Sequence, residues 1–196
     1  MASAREKVPQ LGLWDDEVPK LSHDAIVLWA YQNAEQLVRA YLTAYPKKDF
    51  YKTFSEKWDW NCINNNSGMA LADLPPLPEK PKQFDAKKNL ERVIEQYAEN
   101  ANGRSLPRIL GYGDLLITWY TPCVQWWEGQ WRVSHREVGS LLVEAKTVMP
   151  SLGELMRQLN LYRLVYRDVV VVSPDASYQD LLREQGMLFI PYKAGL

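Results

Sequence analysis

Cysteine and histidine are scarce in this chain. Cys62 and Cys123 are its only two cysteines, too few for a disulfide framework or a four-thiolate zinc site. The two histidines, His23 and His135, have no metal-like spacing around them, and both read as surface residues. No apolar run approaches the roughly 18 residues a bilayer span needs, so no membrane partner is expected. Neither sign of charge dominates. With 23 basic and 24 acidic residues the net charge is -1, which excludes a broad histone-like basic field but not a local basic groove. There is no P-loop, no GxGxxG and no serine nucleophile elbow. The opening MASAREKVPQ lacks the apolar core of a secretion signal, and a cytoplasmic protein is expected.

What is present suits an ordinary globular domain. Apolar residues make up 46%, enough for a core, so extended disorder and a collagen-like fibre are excluded. Tryptophan and tyrosine are abundant, at 8 and 11 residues, and can serve a core, a stacking surface or a partner interface. The Pro-rich DLPPLPEKPKQF at 73–84 reads as an extended connection. It divides an N-terminal helical extension and linker (1–85) from a more regular core (86–196). In the extension, Ser22 can cap a helix over about 23–43 whose stripe is Val27, Ala30, Ala34, Val38 and Tyr41.

The core region gives an ordered pattern. Leu90, Val93, Ile94 and Tyr97 predict an amphipathic helix over 86–100. RILGYGDLLITWY at 108–120 is strand-like, CVQWWEGQWRVS at 123–134 reads as a hairpin with Glu128-Gly129 at its tip, and 138–148 reads as a strand. Ser151 and Glu154 form a capping box for the next helix. DVVVVS at 168–173 is a strand covered on both faces, followed by a short helix over 176–185 and a last strand over 187–192. The order implies an α/β fold, a sheet flanked by helices with parallel crossovers.

Three local patterns carry chemistry. Gly111-Tyr112-Gly113-Asp114 heads an apolar strand. Glu144-Ala145-Lys146 ends another. Gln158 and Tyr162 follow on a helix. Residues two apart in a strand share a face, so Glu144 and Lys146 project together. Residues four apart on a helix are neighbours, as Gln158 and Tyr162 are. If the two strands pair, Asp114 sits beside Glu144, and two carboxylates suit Mg²⁺ or Mn²⁺. Such an ion polarises a phosphodiester and acidifies bound water, while a lysine offsets charge developing on phosphate. Two other acid-containing patterns are set aside. Asp85-Ala86-Lys87 follows the Pro-rich stretch rather than ending a strand, and Pro174-Asp175 comes after Glu144.

The series GxxD, ExK, QxxxY over residues 86–192 resembles the PD-(D/E)xK nuclease superfamily, with its restriction-endonuclease-like mixed sheet flanked by helices, and more narrowly the RecB-type branch. The resemblance implies a metal-dependent nuclease hydrolysing DNA, either exo- or endonuclease. Asp114 and Glu144 would be ligands of Mg²⁺ or Mn²⁺, Lys146 the catalytic lysine, and Gln158 and Tyr162 positioning or DNA-contacting residues. The family's first motif is a Glu on the helix preceding the Asp strand. Glu91 and Glu95 are both available there, Glu91 with more room for the intervening strand. Arg104, Arg108, Arg157 and Arg163 would line the cleft and bind phosphates. Trp126, Trp127 and Trp131 would either stack bases or pack the hairpin on the N-terminal helix. Two rivals stand beside this. One is a catalytically silent nuclease-like subunit binding DNA or protein in a DNA-processing, mobile-element or defence complex. The other is a plain α/β interaction domain. A protein partner or homo-oligomer is compatible with all three.

Overall fold

One long strand organises the fold. The computed structural model describes residues 21–48, 51–99 and 105–193. The architecture is α/β, a mixed six-stranded sheet flanked by helices. Two helices open it, α1 (His23–Gln32) and α2 (Ala34–Ala44). The first strands are β1 (Ile63–Asn65), β2 (Asp85–Glu99), β3 (Ser105–Trp127) and β4 (Gln130–Ala145). Then come α3 (Leu152–Tyr162), β5 (Val169–Ser173), α4 (Gln179–Glu184) and β6 (Leu188–Pro191). β3 pairs antiparallel with β4 on one edge. On its other edge it carries β2 and, further along, the short parallel β1. β5 and β6 extend the sheet in parallel beyond β4.

Alternation along the strands divides the core in two. Leu115, Ile117, Trp119, Leu141, Val143, Ala145, Val170 and Val172 pack with Ile26, Ala30, Leu37, Val38 and Tyr41 of α1 and α2. Leu116, Leu142, Val169 and Val171 face the other way, onto Leu155, Leu159 and Tyr162 of α3 and Leu182 of α4. β5 is buried along its whole length, as its unbroken valine run predicts. The helices of the 21–48 segment thus share a core with the sheet.

Three expectations change. The predicted helix over 86–100 is strand β2. Its apolar residues have helical spacing, yet only Ile94 among them is fully buried, while Leu90 and Tyr97 lie open to solvent. The free edge of β3 offers a ladder of backbone partners from Tyr120 to Ser105, and pairing with it overrides the local helical preference. The helix over 23–43 is broken at Asn33, whose side-chain amide donates to the Trp29 carbonyl. Ser22 caps it as expected, accepting from the Ala25 N–H at 3.1 Å. The separate strand and hairpin over 108–134 are two long continuous strands. Their turn is Glu128-Gly129, with φ of 50° and 81°, the pair of left-handed residues a tight hairpin demands.

The Pro-rich stretch runs extended and is fastened along its length. Trp58 Nε1 donates to the Pro78 carbonyl and Trp131 Nε1 to the Pro75 carbonyl. The buried Lys80 ammonium donates to the Lys52, Ser55 and Lys57 carbonyls. The indole of Trp119 lies across its register partner Gly139, where a Cβ would sit 2.3 Å from the ring. Gly139→Ala must therefore push the indole out of the α2 side of the core. We expect a loss of about 1–3 kcal/mol in urea unfolding. An unchanged midpoint would show that this contact is not constraining.

Candidate functional site

The pairing of β3 with β4 places the two predicted acids side by side. The register Leu115↔Val143 continues one step to Asp114 opposite Glu144, so both project from the face that carries Leu116 and Leu142. Asp114 Oδ2 accepts the Ala145 N–H at 2.7 Å, which anchors the carboxylate across the ladder. Two residues on from Glu144, the Lys146 ammonium donates to Glu144 Oε1 at 2.6 Å.

Helix α3 completes the arrangement. Ser151 caps it, its Oγ accepting the Glu154 N–H. One turn separates Gln158 from Tyr162. Gln158 Nε2 donates to Glu144 Oε1 at 2.7 Å and to the Tyr162 hydroxyl at 2.5 Å, and that hydroxyl donates to the Tyr112 carbonyl at 2.7 Å. Gly111 makes the approach possible, because a Cβ there would lie 2.9 Å from Tyr162 Cε1. The first glycine of the GxxD pattern therefore has a steric reason.

Glu144 is 2% exposed, and its second oxygen, Oε2, has no partner. Burial, reinforced by the negative charge of Asp114, raises its carboxyl to about 7 against the opposing pull of Lys146 and Gln158. Burial likewise lifts Tyr162 to about 12, so its hydroxyl stays a donor at neutral pH.

The remaining expected residues separate. Glu91 and Glu95 lie on strand β2, not on a helix. By register Glu91 falls opposite Asp114, and it holds a left-handed φ of 49° inside the strand. Glu91 and Asp114 border one cleft. Glu95 follows a bulge and pairs with Ile109, five positions up β3 from Asp114, or about 17 Å at the usual strand rise. It is not brought to the site. Arg104 lies outside the described residues. Arg108 pairs with Gln96, out beyond Gly111 on β3, and Arg157 is exposed on α3. Arg163 donates to the Gln185 carbonyl at the end of α3. The tryptophan hairpin packs not on α1 but on the Pro-rich stretch, through Trp131 and Pro75, with Trp126 and Trp131 edge to face at 5.2 Å.

His23 is exposed, as its sequence context predicts, yet at the start of α1 it places Nε2 3.2 Å from Asp114 Oδ1. Only the packing of α1 on the sheet brings them together; no local spacing announced it. Among the described residues no three His, Cys, Asp or Glu side chains form a ready-made metal cage. The donor set nonetheless fits a hard divalent cation. Two adjacent carboxylates, one with a buried bare oxygen, match the one or two carboxylates by which Mg²⁺ is held while it retains water.

The position of Glu144 has a consequence for stability. Below about pH 4.5 its carboxyl is protonated in folded and unfolded chains alike and costs nothing. Between about 4.5 and 7 the unfolded chain ionises first, so folding loses stability as pH rises, and above about 7 the loss is complete. In metal-free buffer, wild-type stability should fall relative to Glu144→Gln across that window, by on the order of 3 kcal/mol, and then level. Urea unfolding at a series of pH values reads the difference; a constant gap would contradict the assignment.

Compared with known proteins, the chain matches no family model, no curated protein and no solved structure.

Proposed function

We propose that the chain is a Mg²⁺- or Mn²⁺-dependent nuclease that hydrolyses DNA phosphodiester bonds, of the PD-(D/E)xK kind. The observation that carries this reading is the Glu144 carboxylate. It lies opposite Asp114, it is held on one oxygen by Lys146 and Gln158, and it is bare on the other. The mixed sheet flanked by helices supports the reading at the level of the α/β class.

Asp114 and Glu144 would hold the cation, with His23 beside Asp114 as a nitrogen donor within reach. Bound there, the ion would polarise the phosphodiester and lower the pKa of a water. The protein's own groups supply the rest. The Lys146 ammonium is fixed by its bond to Glu144 and can meet negative charge as it develops on the phosphate. Gln158 and Tyr162 are positioning residues. Their chain of hydrogen bonds ends on the Tyr112 carbonyl and sets the angle of the Glu144 carboxylate relative to β3.

A second reading, a nuclease-like subunit that binds without cleaving, draws on two facts. Lys146 already occupies one Glu144 oxygen, and no three-donor cage is formed among the described residues. Incubation with linear, nicked and single-stranded DNA plus Mg²⁺ or Mn²⁺ separates the two. Cleavage should occur, and both Lys146→Ala and Asp114→Ala should lower it at least about a hundredfold. No cleavage of any substrate, with DNA or protein binding retained, would favour the second reading.

A further inference from the structure

Beside Asp114 the surface opens into a cleft of about 390 Å³ between α1 and β2, a size suited to one small ligand. Its lining is of two kinds. Val27, Leu28 and Tyr31 of α1 and Leu90 of β2 form an apolar wall, while His23, Asp24, Glu91 and Asp114 form a polar rim. Leu28 and Leu90 are 56% and 53% exposed, large apolar side chains left open on facing elements of one cleft. Tyr31 is held in place: the Lys88 ammonium sits 4.1 Å from its ring centroid and donates to its carbonyl. Glu91 keeps its left-handed backbone at this wall, and strain of that kind gathers where a surface is shaped for a ligand.

We propose that this cleft receives one unpaired nucleotide of the substrate strand, its base against Leu28, Tyr31 and Leu90 and its phosphate toward Asp114. The assignment rests on the nuclease reading and narrows it to strands with unpaired bases. Among the described residues that line the cleft none is a lysine or arginine, and the Lys88 ammonium is engaged on Tyr31, so these residues offer the phosphate backbones of a duplex little cationic support. What the wall offers is apolar and aromatic contact to a base face, and a base stacked within a duplex cannot make it. The acidic rim opposes the phosphate of the same nucleotide until a divalent cation offsets it, which ties occupancy of the cleft to the ion at Asp114.

The test is binding, read by fluorescence anisotropy of a labelled single-stranded oligothymidylate and of a closed-end duplex, both with Ca²⁺. The proteins compared are wild type, the Leu28→Asn/Leu90→Thr double variant, and Leu181→Asn as a control for loss of an exposed leucine elsewhere. Thermal unfolding establishes that each variant is folded. We expect the single strand to bind more tightly than the duplex, and the double variant to weaken single-strand binding about tenfold, the effect of losing one base-sized apolar contact. Duplex binding and the Leu181→Asn control should not change. Equal affinity for both DNAs, no binding of either, or unchanged affinity in the folded double variant would overturn the assignment. The two proposals fail separately. Single-strand binding that depends on Leu28 and Leu90, without hydrolysis in Mg²⁺ or Mn²⁺, removes the nuclease activity and keeps the cleft. Hydrolysis abolished by Lys146→Ala but indifferent to the cleft variant removes the cleft alone.

Discussion

A carboxylate buried at the end of β4 sets the terms for everything around it. Taking Glu144 out of water is costly unless its oxygens find partners. Oε1 has two, the ammonium of Lys146 just past the end of β4 and an amide from α3. Oε2 has none, and the Asp114 carboxylate stands across the ladder. The same burial that raises the Glu144 carboxyl leaves one of its oxygens without a protein partner, and it is this oxygen on which the proposed cation site rests.

The register of the β3–β4 pair gives Glu144 its neighbour. A one-residue slip would turn Asp114 or Glu144 to the opposite face, so the hydrophobic pattern that seats Leu115, Ile117, Leu141 and Val143 against α1 and α2 also places the two acids. The tight Glu128-Gly129 turn starts a register far from the site, and a bulge at Val138, between the pairs Tyr120↔Glu137 and Trp119↔Gly139, shifts it by the one residue that sets Asp114 opposite Glu144. Around the tip, the Pro-rich stretch binds the hairpin through Trp131 and folds back onto residues 51–58 through Trp58 and Lys80. A segment that reads as a connector is thereby part of the framework.

How much of this was legible varies with the range of the interaction. The Glu144–Lys146 pair and the Gln158–Tyr162 pair follow from strand and helix periods, and both occur as hydrogen-bonded pairs or within one network. The buried valine strand and the caps of α1 and α3 were equally local. Strand β2 carries a helical signal, because Leu90, Val93, Ile94 and Tyr97 fit a helical stripe, and the partner that decides its state, the edge of β3, leaves no mark within the segment. Glu91 reached the neighbourhood of Asp114 by a route other than the one expected, and Glu95 did not reach it.

The sequence by itself determined which residues could do chemistry, the alternation that gives the sheet two buried faces, and the short-range geometry of ExK and QxxxY. Such features depend on the 2-residue and 3.6-residue periods of the backbone, which act within a few positions. Tertiary structure alone decided that Asp114 meets Glu144, that His23 meets Asp114, and that α1 and β2 leave a cleft between them. Those contacts join residues distant along the chain. They exist only once the burial of apolar surface on both faces of the sheet has brought the elements together.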